Sequence, residues 1–158
     1  MIYRPTDREL GMWDTWLFPH EGRYHLFHLQ SRAPDRNDQI GRAVSDDLIH
    51  WEPLPAIPLR GEAGAWDGDL HKTGLRTGHT IRFGNGFAMT YGAVHQGREV
   101  VGVAFSDDLV TWRKCEENPV LCPAGSWYET NPSETAMFWI AWRDPFTVSY
   151  THLRAHET

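Results

Sequence analysis

Two aspartates stand in surroundings that suit chemistry on a sugar. Asp14 lies in Met12-Trp13-Asp14-Thr15-Trp16, between two tryptophans, and Asp144 lies in Trp142-Arg143-Asp144-Pro145-Phe146. Cleaving a glycosidic bond needs one carboxylate as nucleophile or base and one carboxylic acid to protonate the leaving oxygen. Tryptophan presents a flat apolar face that stacks on sugar rings but also fills cores. Trp13, Trp16 and Trp66 are therefore candidates for a pocket wall, with core packing an equal alternative for each. Both aspartates also admit a plainer reading: Asp14 as a turn or strand cap, and Asp144-Pro145 as a surface turn.

The two carboxylates are 130 residues apart (144 − 14), so the fold has to bring them together. A repeat supplies the means. Ser-Asp-Asp-Leu-x-x-Trp begins at Ser45 and again at Ser106, a step of 61 residues (106 − 45). Upstream, the segment from Gly22, Gly-Arg-Tyr-His-Leu-Phe-His-Leu-Gln, is matched by the segment from Gly86, Gly-Phe-Ala-Met-Thr-Tyr-Gly-Ala-Val, a step of 64 (86 − 22). These stretches are short, rich in β-branched and aromatic residues, and bounded by Gly or Asp, which reads as strands. Asp46-Asp47 and Asp107-Asp108 sit where turns are needed, because an Asp side chain accepts hydrogen bonds from backbone N–H groups two residues on. Leu48 and Leu109 are expected beneath those turns, with Trp51 and Trp112 opening the next strands.

A unit of about 60 residues holding about four antiparallel strands is the blade of a β-propeller. The innermost strand of each blade lines the central channel, so residues near the starts of those strands converge at one end of the axis. Asp14 before the first strand of blade one and Asp144 at the same place in blade three then share a pocket. Asp67 and Asp69, around Gly68, read as a turn. Closing five blades takes on the order of 300 residues, so the chain reads as about two and a half blades, the N-terminal part of a larger all-β propeller.

Composition narrows the field. A net charge of −6 and a pI near 5.8 argue against nucleic-acid or anionic-membrane partners. The longest apolar runs fall short of the roughly 18 residues of a membrane-spanning helix. The N-terminus lacks a basic segment followed by an apolar one. The two cysteines, Cys115 and Cys122, read as free thiols of a cytoplasmic protein. Nine histidines invite a metal reading. However, His25 and His28 point to opposite faces of a strand, and His71 and His79 lack partners at ligand spacing, so no metal is expected.

Taken together, Met12-Trp13-Asp14-Thr15-Trp16, Gly22-x-Tyr-His-Leu-Phe, Ser45-Asp-Asp-Leu-x-x-Trp and Arg143-Asp144-Pro145 resemble the five-bladed propeller glycosidases. These are glycoside hydrolase families 32 and 68, acting on fructosides, and the related family 43, acting on arabinosides and xylosides. The Trp-Asp-Thr-Trp segment is nearer the family 68 form of the nucleophile motif, and Arg-Asp-Pro is shared by families 32 and 68. The resemblance implies a cofactor-free retaining hydrolase of a small carbohydrate. In it Asp14 is the nucleophile and Asp144 stabilises the oxocarbenium-like transition state. Arg143 either anchors Asp144 or binds a hydroxyl directly. His79, in Thr77-Gly78-His79-Thr80, falls where these families carry a substrate-contacting Ser/Thr-Gly-Ser segment. A family 43-like chain would instead use Asp14 as base in an inverting reaction, and a propeller without the acid would only bind carbohydrate.

The resemblance also requires a glutamic acid after Arg143-Asp144-Pro145. Only Glu157 follows; Glu129 and Glu134 precede it, so the acid is expected to be missing and the chain alone inactive. Residues 149–158, Ser-Tyr-Thr-His-Leu-Arg-Ala-His-Glu-Thr, have no counterpart elsewhere in the chain and read as foreign to the domain, with a junction after Val148.

Overall fold

The computed structural model describes residues 3–5, 7–32, 39–57, 59, 61–62, 64–68, 74–125, 127–131 and 140–148. Asp69, His71, Glu134, Glu157 and the segment 149–158 lie outside the described residues. Eight strands, and among the described residues no helix, make two sheets. The first runs β1 (Gly11–His20), β2 (Arg23–Ser31), β3 (Gln39–Ser45), β4 (Glu52–Ile57) in that spatial order. The second runs β5 (Leu75–Phe83), β6 (Gly86–His95), β7 (Arg98–Ser106), β8 (Arg113–Lys114). Every neighbouring pair is antiparallel. Each sheet is thus an up-and-down meander of four strands, the blade expected from the repeat.

The Ser-Asp-Asp-Leu turns are the same object twice. Ser45 Oγ accepts from Asp47 N at 3.2 Å and Leu48 N at 2.9 Å, while Asp47 Oδ1 accepts from the Ile49 and His50 amides at 2.8 Å each. In blade two Asp108 Oδ1 accepts from Val110 N at 2.8 Å and Thr111 N at 2.7 Å, and Ser106 Oγ accepts from Asp108 N at 3.2 Å. These bonds to the ionised form hold the Asp47 and Asp108 carboxyls below the usual carboxylate range. Trp51 and Trp112 each return an indole N–H to the Leu carbonyl of their own turn, at 3.2 Å in both cases. One expectation fails by half: Leu109 is tucked in, but Leu48 is 45% exposed.

The two sheets pack face to face. Phe27, Leu29, Ile40 and Ile57 of blade one meet Leu75, Phe87, Met89 and Tyr91 of blade two, with Trp16 and Trp112 in the same core. β4 carries Pro53 and Pro55, which an edge strand tolerates because its outer N–H groups face no partner. The third blade is not formed among the described residues. Residues 141–148 contain no strand, although Asp144 was expected to stand before the first strand of a third blade. Among the described residues, what holds this stretch beside blade two is hydrogen bonding to side chains and, next to it, the parallel bridge of Arg98 with Ile140.

Candidate active site

Asp14 owes its position to a bulge. Trp13 pairs with Leu29 and Thr15 with His28, so Asp14 is an extra residue with no partner on β2. Its φ is +40°, a region that short polar side chains tolerate better than most. A bulge re-aims the side chain it carries, and here it presents the carboxylate to solvent beside blade two. Thr77 Oγ1 donates to Asp14 Oδ2 at 2.8 Å. Thr77 belongs to the matching irregularity of β5, between the pairs Leu75–Ala93 and Gly78–Tyr91. Adding 63 to Thr15, His28 and Asp14 gives Gly78, Tyr91 and Thr77, so the two bulges superimpose in the repeat. Among the described residues no other donor reaches Asp14, which leaves Oδ1 open.

Below this pair, Trp16 joins the blades. It is 7% exposed, stacks on Phe27 with centroids 5.7 Å apart, and donates its indole N–H to Thr80 Oγ1 at 3.1 Å. Gly78 permits the approach: a Cβ there would lie 2.6 Å from the Thr90 carbonyl oxygen and 3.1 Å from the Trp16 ring. The innermost strands β1 and β5 therefore run side by side, joined by side chains rather than by a backbone ladder.

Asp144 also has a positive φ, +60°, and an exposed side chain. Its flanks are pinned on both sides. Upstream, Trp142 N donates to Glu99 Oε2 at 3.1 Å, and Arg143 Nη1 lies 3.5 Å from Glu99 Oε1. Downstream, Thr147 N donates to His79 Nδ1 at 3.2 Å, Phe146 packs on the His79 ring at 4.2 Å, and Thr147 shares a hydroxyl bond with Thr90 at 3.0 Å. Burial lowers the His79 pKa, which suits an imidazole whose Nδ1 must accept. Through Thr77 and His79, β5 holds both the first carboxylate and the loop that carries the second.

Several residues chosen from the sequence have other tasks. Arg143 faces the buried Glu99 and not Asp144, with Nη1 3.5 Å from Oε1. Trp16 is core, and His79 is engaged by residues 146–147. Trp66 packs on Tyr91 at 5.6 Å and covers Gly102, where a Cβ would meet its ring at 2.2 Å. Trp13, half-buried against the core, also lines a cavity together with Met12 and Thr15. That cavity, about 470 Å³, lies between β1 and the segment from Tyr3 to Leu10. Asp67 is buried in the turn it was expected to make. It accepts from Glu62 N at 3.3 Å and pairs with Lys114 at 2.8 Å. Glu129 is exposed and accepts from Asn131 N at 3.0 Å. Sequence reasoning missed Glu99, Arg76 and the partnership of Thr77 with Asp14. A lone acid opening the otherwise apolar strand Glu99-Val-Val-Gly-Val-Ala-Phe was the only available signal for Glu99.

Residues 15–153 match the glycosyl hydrolases family 32 N-terminal domain. The chain belongs to this family. The family 32 match begins one residue after Asp14 and runs past Val148. Among similar proteins, a levanase of Bacillus sp. (strain L7) is 33% identical over 141 residues, 81% of this chain and 14% of the levanase. Beta-fructofuranosidase 1 of Zea mays is 33% identical over 112 residues, 66% of this chain and 16% of that enzyme. The chain thus spans about a seventh of the length of the curated relatives it matches. Among solved structures, fructan 1-exohydrolase IIa from Cichorium intybus aligns with a TM-score of 0.57 at 26% identity, covering 72% of this chain and 22% of that one. A thermostable family-43 glycoside hydrolase shares the fold, with a TM-score of 0.52 at 22% identity over 67% of this chain and 32% of that one.

Proposed function

We propose that this family 32 chain contributes two of the carboxylates with which its full-length enzyme hydrolyses fructosides by retaining double displacement. The observation that carries the reading is Asp14 itself: extruded from its ladder, exposed, and held through Oδ2 by Thr77 so that Oδ1 is open to attack an anomeric carbon. In the first step Oδ1 forms a bond to that carbon while the leaving oxygen departs with a proton from a general acid. In the second step water attacks the same carbon and displaces the carboxylate, giving its proton to the general acid's conjugate base and so restoring the acid. Asp144, on a backbone pinned from both sides, accepts hydrogen bonds from sugar hydroxyls as positive charge develops. The acid is not assigned to any described residue.

The named relatives, a levanase and a β-fructofuranosidase, and a neighbouring exohydrolase solved with 1-kestose, support fructose as the transferred sugar. The test is hydrolysis of sucrose and levan by the full-length gene product, with methanol added as acceptor. Retention predicts a methyl fructoside of unchanged anomeric configuration and loss of turnover in Asp14→Asn. Inverted product, or full activity in the variant, would exclude the reading.

A further inference from the structure

We propose that Glu99 is a positioning residue that fixes the relative placement of the two carboxylate-bearing segments, an inference that rests on reading Asp14 and Asp144 as the catalytic pair. Glu99 is 1% exposed at the start of β7. A buried carboxylate has to be paired and hydrogen-bonded. Glu99 draws its partners from two separate parts of the chain. Arg76 Nε donates to Oε1 at 2.9 Å, and Arg143 Nη1 sits 3.5 Å from the same oxygen. Trp142 N donates to Oε2 at 3.1 Å, and the Glu99 amide itself donates to the Ile140 carbonyl at 2.9 Å. Arg76 immediately precedes Thr77, which holds Asp14. Trp142 and Arg143 immediately precede Asp144. One buried acid therefore grips the residue next to each carboxylate's support.

The placement is more than charge balance. A single arginine would neutralise Glu99, and Arg76 alone supplies a good bond. The second guanidinium and the Trp142 amide bring in residues 142–143, which have no ladder to fix them. Loss of the Glu99 charge frees that segment while leaving both sheets hydrogen-bonded. A displacement near 1 Å of a reacting group can cost about 10²-fold in rate. Such a loss falls on the transition state, so it lowers kcat and leaves KM nearly unchanged.

The test uses the full-length enzyme with fructoside substrate. Glu99→Gln keeps the volume and one acceptor and is expected to lower kcat about 30-fold with KM within about threefold. Arg76→Gln, at a half-buried site, is expected to lower kcat about fivefold, with Arg76→Lys restoring most of it. The double variant Glu99→Gln/Arg76→Gln should be no slower than Glu99→Gln alone, since both cut the same link. Should Glu99→Gln fail to fold, the Arg76 pair decides. Wild-type kcat in both glutamine variants, or a uniform fall without rescue by lysine, overturns the inference. An active Asp14→Asn enzyme would instead overturn the assignment of the catalytic pair, so the two failures are distinct.

Discussion

Blade one and blade two follow one plan, and they differ where the work differs. Each has a four-strand meander, a Ser-Asp-Asp-Leu turn that shares the Ser and Asp bonds to the backbone, and an innermost strand with one extra residue. At that extra residue blade one places Asp14 and blade two places Thr77, and the two bond to each other. The turns differ in a second way. Leu109 is 3% exposed because its turn abuts blade one, where Arg42 Nη1 donates to the Leu109 carbonyl at 2.7 Å. Among the described residues no such neighbour covers Leu48, which stays exposed. Equal local sequence thus yields equal local geometry, while burial and chemistry depend on what stands next to the repeat.

The comparison can be broken most severely at the bulges. Asp14→Asn should reduce kcat on sucrose by roughly 10⁴-fold, as expected for loss of a nucleophile. Thr77→Val, at the same place in blade two, should cost only about tenfold, the worth of one hydrogen bond to a charged group. Equal losses would mean that the two positions act alike. Next in size is the joint between the blades: Trp16→Ala should destabilise the protein by about 3–5 kcal/mol, read by thermal unfolding. The turns sharpen the contrast further. Leu109→Ala should cost about 2–4 kcal/mol, and Leu48→Ala less than about 0.5 kcal/mol.

The smallest effect is with pH. Burial lowers the pKa of His25 and His28 in blade one and of His79 in blade two, from an ordinary 6.5. The unfolded chain therefore binds these protons at higher pH than the folded one. Stability should be full above about pH 6.5 and fall as pH drops toward the folded values. His28→Gln should flatten the acid side of a plot of melting temperature against pH.

Local features were legible in the sequence and distant ones were not. The Ser-Asp-Asp-Leu turns, the paired strands β2 and β6, and the blade repeat are written in contiguous residues, since their bonds span two or three positions. Asp14 could be chosen because an acid between two tryptophans is unusual. The bulge that turns it outward could not, because it is a property of pairing with Leu29 and His28. The contact of Arg143 with Glu99 was hidden for the same reason: Glu99 lies 44 residues earlier (143 − 99) on another strand. Phe146-Thr147-Val148 have strand composition, yet composition cannot supply the neighbour that a strand needs.

The absence of a backbone ladder between β1 and β5 has a mechanical consequence. Within that joint the innermost strands β1 and β5 are linked by side chains alone: Trp16 on Thr80, Asp14 on Thr77 and Arg82 on His20, the last at 3.2 Å. Trp16 sits between the other two contacts along the strand, so the joint is a row of three separate side-chain bonds. Any one of them can be removed by a single substitution without deleting a backbone hydrogen bond of either sheet.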